Sequence, residues 1–268
     1  MERVGRRITV GRAALGTVVA LVAAWLIVPT LVVVPLSFTD RASFSFPPQG
    51  WSLQWYENIV ADPAWLSSLG TTLIVALASM VLAVVLGTLG AIGLARLPRR
   101  VASGAQIALL SPLLSPQIVT AIAVFSLFLR FGLDGTVGGF ILAHTMLATP
   151  YVVVTVTASL ERYDRRLDLA AESLGASPAR RFIDITIPLL APGILIGALF
   201  AFVTSFEETV LALYLQSPTL RTLPVQMYDS VTVDIDPTIA AVSSLVLVIT
   251  SAVLLIPLLR GSRRKVRR

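Results

Sequence analysis

The chain has 268 residues, of which 56% are hydrophobic and 13% charged, against roughly 25% charged in an ordinary soluble domain. Together with a mean hydropathy of +0.85, that composition excludes a typical soluble globular enzyme. The net charge is +6 and cysteine is absent, so disulfides, thiolate nucleophiles and cysteine-ligated metals are excluded as well.

Six uncharged stretches follow one another: Ala13–Thr39, Pro63–Ala95, Val101–Leu129, Gly135–Leu160, Ile185–Phe206 and Pro237–Leu259. A helix rises about 1.5 Å per residue, so about 20 apolar residues cross a hydrocarbon core about 30 Å thick. Each stretch reaches that length. An all-α polytopic membrane protein of about six spans is therefore expected. The basic segment 1–12 followed by an apolar run has the flavour of a signal peptide, but the run's length and Pro29 and Pro35 fit a retained first span.

The external segment after the first span holds Phe44, Phe46, Pro47, Pro48, Trp51, Trp55, Tyr56 and Trp65. Its tryptophans are expected to anchor at the headgroup level. Ser52 is a candidate cap for a short interfacial helix from about Leu53 to Val60, with Leu53, Tyr56 and Val60 on one face. Gly70, Gly87, Gly90 and Gly93 offer small surfaces for close helix contact in the second span. Pro112, Pro116, Pro150, Pro188 and Pro192 interrupt later spans and predict bent or re-entrant packing. Ser115 and Gln117 lie at the first of these interruptions.

Charge sets the expected orientation. Eighteen of the 21 basic residues fall at the termini and in alternate loops: Arg3, Arg6, Arg7 and Arg12; Arg96, Arg99 and Arg100; Arg162, Arg165, Arg166, Arg180 and Arg181; and six from Arg260 to Arg268. Arg41, Arg130 and Arg221 alone occupy the other side. The positive-inside bias places both termini in the cytoplasm, with the permease domain at residues 13–260 between a segment 1–12 and a basic tail 261–268. That tail reads as a lipid-headgroup contact, so no nucleic-acid partner is expected.

The long internal loop 161–184 carries the strongest local pattern. Leu167, Ala170, Ala171 and Leu174 recur at helical spacing, Gly175 is suited to ending a helix, and Ser177-Pro178 to starting the next. A compact helix with two alanines on its apolar face is suited to entering a groove on another protein. No phosphate-binding glycine–lysine–serine/threonine motif occurs, so any nucleotide is expected on another subunit.

Polar residues near the spans supply candidate solute contacts. Glu207 and Glu208 end the fifth apolar run, where ionisable groups are costly unless paired, hydrated or functional. An ordinary interface boundary is the alternative reading for both. His144, the single histidine, and Thr204, Ser115 and Gln117 complete the candidate pathway set, although for His144 a packed polar residue is the favoured reading; one histidine without a neighbouring carboxylate predicts no metal site. Nine acidic residues on the external side against three basic ones favour approach of a cation or a basic surface. From residues alone, an ion-coupled secondary transporter and a membrane scaffold stay open beside a partner-dependent pathway. No nucleophile–base pair points to an intramembrane hydrolase.

The loop resembles the cytoplasmic signature of binding-protein-dependent ABC importer permeases. Ala170-Ala171 is followed four positions later by Gly175, and nine residues then precede Ile185-Thr186-Ile187-Pro188. Leu169 stands where that signature has glutamate, with Asp168 beside it, and Ile187 where leucine is usual. Phe46-Pro47-Pro48, Trp55-Tyr56, Ser111-Pro112, Ile118-Val119-Thr120, His144 through Tyr151, Ser205 through Glu208, Leu223-Pro224-Val225 and Ile235 through Ser243 look like the spermidine/putrescine branch. The resemblance implies a type I ABC importer transmembrane fold in the bacterial inner membrane and a non-catalytic subunit that translocates a polyamine or a related small polar solute. It implies a second permease subunit, two ATP-binding cassette subunits holding ATP and Mg2+, a periplasmic solute-binding protein and surrounding lipid. It also implies a coupling element at Asp168, Leu169, Ala170, Ala171, Leu174 and Gly175, continued by Ile185 and Pro188.

Overall fold

A computed structural model describes residues 2–164, 166–233 and 236–265, with side chains described from 15 to 251 outside those gaps. Arg165, Asp234 and Ile235 lie outside the described residues, as do the side chains of the N-terminal arginines and of the basic tail.

The described residues are mainly helical; the longest segment between helices runs from 37 to 53 and is closed by a bridge between Thr39 and Trp51. In chain order the helices are α1 (Glu2–Leu36), α2 (Gln54–Ala61), α3 (Pro63–Leu94), α4 (Arg99–Leu114), α5 (Gln117–Phe131), α6 (Val137–Leu160), α7 (Arg166–Ser173), α8 (Pro178–Arg181), α9 (Ile187–Glu207), α10 (Val210–Leu215), α11 (Leu223–Thr232) and α12 (Thr238–Lys265). A π turn, Phe182–Thr186, joins α8 to α9. Every apolar run of the sequence is thus helical. Leu15–Leu36, Pro63–Leu94, Val137–Leu160 and Pro178–Glu207 are each long and apolar enough to cross a membrane. The third run instead forms the pair α4–α5, bent by 101°, and the sixth forms α12, apolar over Thr238–Ser251.

Contacts divide the chain into two compact units: residues up to Leu66 together with those from Met227 onward, and Ser67–Gln226. In the first unit α12 packs on α1 and α2. The segment after α1 is fixed by hydrogen bonds: Trp55 Nε1 donates to the Thr39 carbonyl at 2.7 Å, Ser37 Oγ pairs with Tyr56 Oη at 2.7 Å, and Asn58 Nδ2 donates to Thr238 Oγ1 at 2.8 Å. The interfacial helix begins one residue later than expected. Ser52 Oγ still accepts from the Gln54 amide at 3.1 Å, but Leu53 and Val60 are exposed while Tyr56 turns inward to Ser37. The tryptophans also divide. Trp51 is 70% exposed, as an interface anchor requires, whereas Trp65 is 1% exposed and belongs to the core, so it is not a headgroup anchor.

In the second unit α6 is the axial helix. Ten of its residues are buried, and α3 and α9 cover it. The approach is close because the covering surfaces lack side chains. A Cβ built on Gly197 falls 2.6 Å from Thr155 Oγ1 and 3.0 Å from Val152 Cα; one on Gly193 falls 2.7 Å from the Thr155 carbonyl and collides with Ser159 Oγ. Gly193, Gly197, Ala201 and Ser205 repeat every four residues and form one buried small-residue ladder along α9. On the α3 side Gly87 meets Val152 in the same manner, with a built Cβ 2.6 Å from Val152 Cβ. Of the glycines expected to serve packing, Gly87 does so tightly and Gly90 at ordinary contact distance, while Gly70 and Gly93 face open space. Lipid tails are as apolar as leucine, so close packing of this kind and interhelical hydrogen bonds hold membrane helices together. One such bond runs from Ser79 Oγ on α3 to the Ile141 carbonyl on α6, at 3.0 Å.

Introducing valine at Gly197 should destabilise the protein by about 1–3 kcal/mol through overpacking. Alanine at Gly93 should be neutral or slightly stabilising, because its methyl meets nothing and glycine is a poor helix former. Thermal unfolding of the detergent-solubilised protein separates the two; equal midpoints would contradict the ladder.

Candidate functional site

Two helix interruptions build one cavity in the second unit. The first lies between α4 and α5. Pro116 has no amide hydrogen to donate and disfavours helical geometry in the residue before it, and Ser115 is accordingly extended (φ −84°, ψ 143°). Gln117 opens α5 immediately after the bend. The second interruption follows Glu207, where Glu208 takes an extended conformation (φ −67°, ψ 115°) before α10 resumes at Val210. Inside a membrane an interrupted backbone is tolerated where it is buried in protein or lines a cavity.

The cavity, about 380 Å³, is lined by Pro112, Ser115 and Gln117 from the first interruption and by Thr204, Glu207, Glu208 and Thr209 from the second. Leu147 and Tyr151 of α6 contribute to its wall, and the Tyr151 ring stacks on Phe200 of α9 at 6.1 Å between centroids. Five of the six candidate pathway residues therefore meet at one place: Ser115, Gln117, Thr204, Glu207 and Glu208. The sixth, His144, does not line it. Its ring is 1% exposed, and Nδ1 lies 2.9 Å from Ser205 Oγ and 3.1 Å from the Ser205 carbonyl.

The two adjacent carboxylates differ in their surroundings. Glu207 is exposed, whereas Glu208 is 7% exposed and its Oε1 accepts from the Leu211 amide at 2.8 Å. Among the described residues no cluster of three or more histidine, cysteine or acidic side chains could hold a metal ion. The arrangement can receive a polar, positively charged solute: it offers a free carboxylate, hydroxyl and amide groups and an aromatic wall.

A second polar region surrounds the loop from α6 to α9. The expected helix, glycine turn and short helix are α7, Gly175 at φ +81° and α8, with Ser177 Oγ accepting from the Arg180 amide at 3.3 Å and Pro178 in the first turn. The apolar stripe of α7 faces outward. Leu167, Leu169, Ala170 and Leu174 are exposed, Leu174 by 87%, and Ala171 is half-buried. Asp168 and Leu169 line a wider cleft of about 900 Å³ with Arg96, Pro98, Leu160, Tyr163 and Thr186. Burial pushes the Tyr163 phenol up, opposed by its hydrogen bond to Thr186, so it stays a neutral hydrogen-bonding group there. Arg181 Nη1 meets Glu172 Oε2 at 2.7 Å and ties α7 to α8. Ile185 is half-buried within the π turn and Pro188 is exposed in the first turn of α9.

The ladder on α9, the second interruption and the clamp from Arg181 to Glu172 were not read from the sequence. The four-residue repeat Gly193, Gly197, Ala201, Ser205 was a usable signal for the first. No glycine or proline marks the second.

Comparison with known proteins agrees with this architecture. Residues 83–265 match the family described as binding-protein-dependent transport system inner membrane component. The putrescine transport system permease protein PotI of Escherichia coli (strain K12) is 33% identical over 205 residues, covering 74% of this chain and 73% of that protein. The spermidine/putrescine transport system permease protein PotC of the same strain is 28% identical over 241 residues, covering 90% and 91%. A chain in the crystal structure of a bacterial ABC transporter involved in the import of the acidic polysaccharide alginate superposes with a TM-score of 0.71 over 96% of both chains, at 17% identity. At that identity the likeness establishes the fold, a type I ABC importer transmembrane fold.

Replacing Gly175 by valine should strain the turn after α7 by about 1–2 kcal/mol, since a Cβ clashes in the left-handed region. The expected result is a lower thermal-unfolding midpoint and faster hydrogen exchange across residues 171–180 in the detergent-solubilised protein. Exchange equal to the parent would show that the turn tolerates a side chain.

Proposed function

This chain belongs to the binding-protein-dependent transport system inner membrane component family, and from that premise we propose that it carries a polyamine, spermidine or putrescine, across the bacterial inner membrane. It is a non-catalytic transmembrane subunit of an ABC importer. The observation that carries the substrate reading is the cavity at the two interruptions, where an exposed Glu207, the Tyr151 ring and the polar groups of Ser115, Gln117 and Thr204 converge. A flexible chain bearing amines suits that chemistry: the exposed carboxylate attracts one ammonium group and the aromatic face accepts the methylene stem or a second cation. The names of the two permeases that resemble this chain, putrescine and spermidine/putrescine, support the same class.

In this reading two permease subunits enclose the path, two ATP-binding cassette subunits hold ATP and Mg2+ beneath them, and a periplasmic binding protein delivers the solute. Both termini face the cytoplasm in this reading, which the distribution of arginines supports. The outward apolar stripe of α7, with Ala171 at its edge, docks the ATPase. Motion of α7 passes through Gly175 and the Arg181–Glu172 pair into α8, which continues through the π turn into α9 as one membrane-long segment, Pro178–Glu207. At about 1.5 Å per residue that segment reaches about 45 Å, from the docking loop to the cavity carboxylate.

Reconstitution with co-purified partners tests the proposal. Uptake of putrescine and spermidine should require ATP; full uptake by this chain alone would instead favour a secondary transporter. Glu207→Gln should raise the KM for the dication about tenfold, corresponding to about 1.4 kcal/mol for one charge contact. Ala171→Glu should abolish ATPase association while leaving the chain inserted, and unchanged association would remove the docking role.

A further inference from the structure

The interruption after Glu207 contains neither glycine nor proline, yet it is sharply defined, and two buried polar side chains hold it. On the α9 side the last four carbonyls of the helix have no partner within the helix. One of them, from Ser205, lies 3.1 Å from His144 Nδ1, and the Ser205 hydroxyl lies 2.9 Å from the same atom. A carbonyl accepts and cannot donate, so the ring presents Nδ1–H to it. His144 stands on α6, the most buried of the membrane-length helices in its unit, with its ring 5.9 Å from the Phe140 ring. On the α10 side, Glu208 Oε1 accepts from the Leu211 amide at 2.8 Å, one of the donors left free at a helix start. The carboxylate that follows Glu207 is therefore occupied by the backbone, although it lies on the cavity wall.

We infer that His144 and Glu208 are positioning residues that clamp the two sides of this interruption and thereby present the Glu207 carboxylate to the cavity. Adjacent acids have separate work: Glu208 holds the chain and Glu207 meets the cation. The inference rests on the proposed role of the cavity as the solute path. It assigns to the single histidine a task away from the solute, since its ring is enclosed and bonded to the end of α9.

The assembled importer, reconstituted with its partners, tests this with paired variants. His144→Phe keeps a ring and removes the donor, and Glu208→Ala removes the acceptor. His144→Gln retains a donor and Glu208→Gln retains an acceptor oxygen. Two readouts are taken: the KM for putrescine, and hydrogen exchange of the segment 205–213, which contains the Leu211 amide. The expected result is a rise in KM of about tenfold and faster exchange in the first pair, with both restored toward the parent in the second pair. A purely structural lesion would lower the maximal rate through loss of active protein and leave KM unchanged.

Faster exchange with an unchanged KM, while Glu207→Gln raises it, would overturn the positioning role and leave the solute path standing. An unchanged KM in Glu207→Gln would overturn the path, and faster exchange in His144→Phe and Glu208→Ala would then still establish the clamp. Exchange identical to the parent in both would overturn the clamp itself. Should His144→Phe fail to assemble, Glu208→Ala against Glu208→Gln decides the same question from the other side of the interruption.

Discussion

Everything in the larger unit depends on how closely α9 lies on α6. Four small residues, Gly193, Gly197, Ala201 and Ser205, remove the side chains that would hold the two backbones apart. In water the burial of larger apolar groups could supply the same cohesion; in lipid that contribution vanishes, and contact distance becomes the main source of attraction. The ladder also ends on a purposeful residue. Ser205 is small enough to belong to the contact and polar enough to meet His144, so the packing surface runs directly into the hydrogen bond that finishes the helix.

That continuity explains why the cavity forms where it does. An interrupted helix leaves amides and carbonyls that hydrocarbon cannot satisfy. At the α4–α5 bend, proline removes one donor outright, and the extended Ser115 redirects the chain. At the α9–α10 junction, side chains do the work instead, with an imidazole at the carbonyl end and a carboxylate at the amide end. The two interruptions face the same space, and the exposed Glu207 lines it beside side chains that also satisfy backbone, Ser115, Glu208 and Thr209. A polar cavity inside an apolar protein is in this sense a by-product of broken helices that the fold then uses.

Much of this was legible in the residues. Uncharged runs of span length became helices because length and hydropathy act locally, and the loop around Gly175 folded as its turn and cap residues indicate, with the positive φ at the glycine and the cap at Ser177. Five candidate pathway residues were identifiable as polar groups in costly surroundings. Other features depend on partners distant in sequence. Trp65 is enclosed, although its neighbours Trp51 and Trp55 have the same composition signal, because enclosure depends on what packs above it. His144 is legible as a packed polar residue in a span as well as a pathway candidate; its partner, Ser205, 61 positions away at the end of α9, is not. Glu207 and Glu208 are chemically identical and adjacent, yet the first is exposed at the end of α9 and the second is buried and bonded to the Leu211 amide. The short helices α10 and α11 were not anticipated, since six and ten residues give little periodicity to read.

The close contact on α6 also has a mechanical meaning. The segment Pro178–Glu207 lies on α6 from Gly193, which meets Ser159 near the end of α6, to Ser205, which is bonded to His144. The carboxylate end is therefore held, and the stretch from Pro178 to Gly193 projects past the ladder. A rod gripped over one part of its length and extended beyond the grip is a cantilever. At about 1.5 Å per residue that overhang is about 22 Å long. A bend of about 5° at its root would move the loop end by about 2 Å and leave Glu207 in place.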